Sequence, residues 1–164
     1  MYNVDDMWVD ISISRQKLWL RQGDEIVFQA PVSTAANGPG ERINSECTPR
    51  GRHIIRAKIG AGCPVNTVFV GRRPTGEVYT TALANDCPGR DWILTRILWL
   101  SGLDVGRNRL GEVDTMRRYI YIHGTPDGTA LGKPGSRGCV RMANDDIVHL
   151  FERVPPATRV VIRD

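Results

Sequence analysis

Several features are missing from this chain, and each absence removes a class of protein. No stretch of its 164 residues reaches the roughly 18 consecutive apolar positions of a membrane-spanning helix. The four cysteines, Cys47, Cys63, Cys87 and Cys139, form no C-x-x-C pair, so the common zinc frameworks are not indicated. Aromatic residues make up only 7%, and basic residues are scattered rather than run together, which argues against a nucleic-acid platform. There are no repeats, low-complexity tracts or linkers, and a single domain over residues 1–164 is expected. The first residues are acidic, without a basic segment leading into an apolar one. A chain that starts natively at Met1 is therefore expected in the cytosol, and one that has lost a leader in the periplasm. Cys63 and Cys87 each precede a proline; they would pair only in an oxidising compartment, and reduced thiols are the default.

What is present is ordinary globular material, 41% hydrophobic and 24% charged. The net charge of +4 suits an anionic partner, including a carboxylate-rich substrate. Val9, Ile11 and Ile13 alternate with polar residues, as in a half-buried strand. With Leu18-Trp19-Leu20, a turn over residues 21–24 and a strand over 26–32, they predict an antiparallel meander. Residues 34–51 read as a long turn-like segment. Further strands are predicted over 52–59, 67–71, 78–82, 93–100, 117–123 and 158–163. Residues 144–153 predict a helix, with Asn144 as N-cap and Ile147, Leu150 and Phe151 on one face. The fold class is mainly β, a sandwich or barrel-like arrangement with one or two helices.

The chemistry concentrates in one place. His123 ends a predicted strand, and Cys139 follows sixteen positions later (139 − 123), inside Ser136-Arg137-Gly138-Cys139-Val140-Arg141. A cysteine alone is more often a small buried hydrophobe. Here Gly138 permits a tight turn, and the flanking Arg137 and Arg141 are expected to favour the thiolate. An imidazole nearby takes the thiol proton and returns it to a leaving amine. Amides around Gly138 and Cys139 are candidates for an oxyanion site. The other cysteines, His53 and His149 read as structural.

These residues resemble the L,D-transpeptidase catalytic domain of the YkuD type. The resemblance rests on His123-Gly124-Thr125 and on Ser136-Arg137-Gly138-Cys139-Val140-Arg141-Met142-Ala143-Asn144. It extends to residues 9–20, to Thr48-Pro49-Arg50-Gly51 and to Val160-Val161-Ile162, so it covers essentially the whole chain. It implies a β-sandwich-like fold with a helix beside the catalytic loop. It implies Cys139 as nucleophile, His123 as base and acid, and the Gly124 carbonyl as the group orienting the imidazole. Gly138 and Ser136 would shape the loop and oxyanion site, and Arg141, Arg137 and Thr125 would meet substrate. Many members carry His at the position of Arg137, so no role of that His carries over.

The implied substrate is a peptidoglycan stem peptide or muropeptide, cut between the position-three diamino acid and a terminal D-Ala, without metal or organic cofactor. Release of the thioester to water, an L,D-carboxypeptidase, is the expected outcome. It rests on the missing export signal and on residues 86–115 acting as a lid. Transfer to an amine, giving 3→3 crosslinks, is the alternative; a non-catalytic muropeptide-binding module is a second. Nothing in the sequence indicates an oligomeric state.

Overall fold

The computed structural model describes residues 6–164, and the first five residues of the acidic start lie outside that range. The chain opens with β1 (Met7–Ser12), β2 (Lys17–Gln22) and β3 (Glu25–Pro31), the predicted meander, with turns at residues 13–16 and 23–24. Then come β4 (Gly51–Ile59), β5 (Thr67–Val70), β6 (Arg73–Val78), α1 (Thr81–Asp86) and β7 (Ile93–Gly102). The last elements are β8 (Tyr121–Gly124), β9 (Val140–Met142), α2 (Asn144–Arg153) and β10 (Arg159–Arg163). The described strands join in one mixed sheet, ordered β3-β2-β1-β10-β4-β7-β5-β6, with β8 and β9 branching from β7.

β7 is the hinge of this architecture. Ile97 faces Ile59 of β4 on one edge and His123 of β8 on the other. Leu94 likewise faces Val68 of β5 and Gly124 of β8. The sheet therefore splits around β7, and the fold is mainly β and sandwich-like, as expected. Val9, Ile11, Leu18, Leu20, Leu98, Ile122 and Val160 fill the core, and α2 closes it with Ile147, Leu150 and Phe151. Burying such side chains contributes roughly 1.5–3 kcal/mol each. The Lys58 ammonium donates to the Phe151 carbonyl at 2.6 Å, capping the negative end of α2. No helix among the described residues is long and apolar enough to cross a membrane.

Four expectations are corrected. β1 is covered on both faces, because Asp10 is 3% exposed. Its carboxylate accepts from Arg21 Nε at 2.9 Å and Arg163 Nε at 2.8 Å, and both guanidinium groups stack on Trp19. The predicted strand at 78–82 ends at Val78, because the Thr80 hydroxyl accepts from the Leu83 amide and starts α1. The predicted strand at 117–123 begins only at Tyr121. The Asp114 carboxylate accepts from the amides of Leu110 and Arg117 and holds a turn, and Tyr119 takes a left-handed φ of 55°. Finally, Ala143 is the N-cap of α2; Asn144 is already helical, and its buried side chain points elsewhere.

Candidate active site

A parallel pair of strands needs a dozen or more residues in its connection. That requirement accounts for the spacing between His123 and Cys139. β8 and β9 run parallel, with Ile122 opposite Val140 and His123 opposite Arg141. The connection is long enough to return the chain, and it delivers Cys139 to the residue just before β9. His123 and Cys139 consequently line one groove of about 520 Å³.

His123 is buried at 1% exposure. Its Nδ1 lies 2.7 Å from the Gly124 carbonyl. A carbonyl only accepts, so Nδ1 carries the proton and Nε2 is left as a base. Burial pushes the imidazole pKa down, partly offset by the Gly124 bond and by Asp91. Gly124 is itself wedged: a Cβ there would lie 2.4 Å from Asn144 Oδ1 and 2.7 Å from the Leu94 carbonyl. The wedge is a buried polar network. Thr95 Oγ1 donates to Asn144 Oδ1 at 2.5 Å, and Asn144 Nδ2 donates to Asn66 Oδ1 at 2.9 Å. Thr95 sits at the β7 bulge with a left-handed φ of 75°.

Cys139 Sγ accepts from the Tyr121 amide at 3.3 Å. Burial pushes its thiol up to about 12, against the pull of that amide, Arg141 and Arg118. Both shifts run in the same sense, towards a neutral thiol and a neutral imidazole. The loop before Cys139 is fixed from within. Ser136 Oγ donates to the Cys139 carbonyl at 2.5 Å and accepts from the Gly138 amide at 3.2 Å. Gly138 has φ +132°, where a side chain would be strained, and a Cβ would press on the Cys47 carbonyl at 3.2 Å. Its amide donates to Ser136 Oγ in this structure.

The segment over residues 34–51 braces this loop. Thr48, buried in Thr48-Pro49-Arg50-Gly51, donates from Oγ1 to the Gly138 carbonyl at 2.8 Å and accepts from the Ala35 amide at 2.9 Å. The Gly135 and Ser136 amides both donate to the Thr34 carbonyl. These contacts join regions far apart in sequence into one scaffold for the thiol.

The YkuD family model, described as the L,D-transpeptidase catalytic domain, matches residues 6–162. This chain belongs to that family. A Bacillus subtilis protein named as an L,D-transpeptidase, YqjB, is 54% identical over 47 residues, which are 29% of this chain and 27% of YqjB. Another from the same organism, YciB, is 20% identical over 156 residues, covering 95% of this chain and 65% of YciB. The crystal structure of L,D-transpeptidase 3 from Mycobacterium tuberculosis superposes with a TM-score of 0.60 at 14% identity. That superposition covers 97% of this chain and 61% of the other, and it shows a shared fold. The chain spans less than two thirds of the length of each of these three proteins.

Within this L,D-transpeptidase domain the remaining candidates divide. Arg141 lines the groove, donates to the Gly135 carbonyl at 3.1 Å and pairs with Asp91 at 3.2 Å. Arg137 lies exposed on the rim. Arg141 and Arg118 are the cations that pull the thiol pKa down. Arg118 donates to the carbonyls of Gly40 and Cys47 and to Ser45 Oγ, and burial pushes its pKa down. Its role is invisible locally, because its partners lie more than seventy positions away. Thr125 is buried, shares a hydrogen bond with Thr129, and does not line the groove. All four cysteines are free. His53 lies buried between the Gly51 carbonyl and Thr115 Oγ1, and His149 packs on Phe28 at 4.6 Å. Residues 86–115 are no lid: they contain β7, whose residues 94–98 are buried.

Proposed function

We propose that this domain opens the L,D bond of a peptidoglycan stem tetrapeptide through a thioester on Cys139. One observation carries the reading: the parallel β8–β9 pair brings Cys139 and His123 into one groove, with His123 Nδ1 committed to Gly124. His123 Nε2 takes the thiol proton as sulfur attacks the carbonyl carbon of the position-three residue. The tetrahedral intermediate collapses, the C–N bond breaks, and the imidazolium gives its proton to the departing D-Ala amine. An acceptor then attacks the thioester, His123 takes its proton, and the thiol is restored.

A pair that starts neutral suits this order, since the proton moves as the sulfur attacks. We take transfer to an amine from a second stem peptide as the acceptor step, in place of the release to water that a lid would have supported. The segment expected to close over the thiol is the centre of the sheet, and the groove rim carries Tyr119, 52% exposed, and the exposed Arg137. Release to water uses the same residues and competes whenever no amine is seated.

The test is incubation with a disaccharide-tetrapeptide, alone and with an amine acceptor, followed by mass spectrometry. A crosslinked dimer that is absent with Cys139→Ala supports transfer. Tripeptide with free D-Ala and no dimer assigns hydrolysis. Binding without turnover returns the protein to the muropeptide-binding reading.

A further inference from the structure

Arg72 is a groove cation that the acyl transfer above does not use. With Gly71 it forms the two-residue turn between β5 and β6, where Val70 pairs with Arg73. Gly71 has φ 55° and Arg72 φ 64°. Such hairpin turns favour Gly or Asn in the left-handed region, and a long side chain there is strained. Strain kept at a groove is a pointer to use.

The guanidinium is held in place by neighbours that leave its charge uncompensated. Its carbon lies 4.9 Å from the Trp99 ring centroid and 4.6 Å from that of Tyr119. One Nη donates to the Tyr121 hydroxyl at 3.0 Å. Arg141 has Asp91 as its counter-ion, and Arg118 is spent on the Ser45 hydroxyl and two backbone carbonyls. Among the described residues no carboxylate pairs with Arg72. Its remaining N–H groups form a planar fork that matches a carboxylate.

Tyr121 sets the distance from the chemistry. Its backbone amide donates to Cys139 Sγ and its hydroxyl receives Arg72, so a full tyrosine side chain separates the thiol from the cation. The terminal D-Ala carboxylate is only one α-carbon beyond the scissile amide, too near the sulfur to reach across that span. A carboxylate at the end of an extended aliphatic side chain covers it. Resting on the function proposed above, we infer that Arg72 forms a subsite for a second carboxylate, carried by a diamino dicarboxylic acid at position three of the stem peptide.

Binding tests this without turnover. The Cys139→Ala protein is titrated calorimetrically with three tetrapeptides. Their position-three residues are the diamino dicarboxylic acid, its side-chain amide, and lysine. The free acid is expected to bind about tenfold or more tightly than the other two. Adding Arg72→Gln brings the three within about threefold, and Arg72→Lys falls between, keeping charge but losing the fork. If Arg72→Gln fails to fold, Arg72→Lys carries the comparison. Equal binding of the three peptides, or a preference that survives Arg72→Gln, overturns the inference. A wild-type protein that neither binds nor turns over any stem peptide sinks the proposed function itself, whatever Arg72 does.

Discussion

Gly124→Ala is a change of one methyl group at the point where the scaffold meets the chemistry. The added Cβ would stand 2.4 Å from Asn144 Oδ1, 2.7 Å from the Leu94 carbonyl and 3.0 Å from the Thr95 Cβ. None of these yields easily. Leu94 is backbone in the central strand, and Asn144 is tied to Thr95 and Asn66 in a buried network. Overpacking a close-packed site costs about 1–3 kcal/mol, and breaking a buried hydrogen bond adds about 1–3 kcal/mol. The expected destabilisation is therefore about 2–6 kcal/mol, read from urea unfolding. Wherever the variant still folds, the Gly124 carbonyl moves and the His123 ring with it, so turnover falls by about 100-fold. Gly135→Ala is the control: its nearest neighbour, Ser33 Oγ at 3.3 Å, is a side chain that can rotate, and the cost stays below about 1 kcal/mol. A Gly124→Ala protein with wild-type stability and turnover would refute the claim that this wedge sets the imidazole.

Three further outcomes follow from the same contacts. Cys139, pushed up to about 12, should react with iodoacetamide at a rate rising about tenfold per pH unit from roughly pH 6 to 9; a plateau by about pH 7 would instead indicate a preformed thiolate–imidazolium pair. His53 is held at about 4 against an ordinary 6.5, so the unfolded chain takes up the proton first. Stability is then full above about pH 6.5 and falls by about 3 kcal/mol towards pH 4, and His53→Gln should flatten that decline in urea midpoints; an unchanged slope would place the titration elsewhere. Thr48→Val should cost about 2–3 kcal/mol and lower turnover, because it leaves the Gly138 carbonyl and the Ala35 amide without their partner; unchanged thermal stability would mean that the loop is braced by other contacts.

The shared groove of His123 and Cys139 was legible because its signals are local: Gly before Cys, a strand ending in His, and a connection long enough for a parallel return. The first meander and α2 were legible from apolar spacing. What stayed hidden depends on contacts distant in sequence. Asp10 reads as an exposed strand position until Arg163 arrives from the other end of the chain. Arg118 and Arg72 become groove residues only through the turns at Asp114 and Gly71, whose left-handed neighbours leave no apolar pattern. Residues 117–120 have strand composition, yet side-chain acceptance by Asp114 overrides it. Asn144 looked like a cap because caps and buried polar anchors draw on the same residue type. The lid reading failed because Gly, Arg and Asp at the ends of residues 86–115 drew attention from the buried strand between them.

The most direct test of the central claim is intact-protein mass spectrometry of the domain quenched during turnover of a stem tetrapeptide. The account predicts an acyl adduct of tripeptide mass, on Cys139 after proteolytic mapping, labile to hydroxylamine and missing from Cys139→Ala. An active protein whose adduct maps to another residue, or whose Cys139→Ala variant turns over the peptide at the wild-type rate, would contradict it.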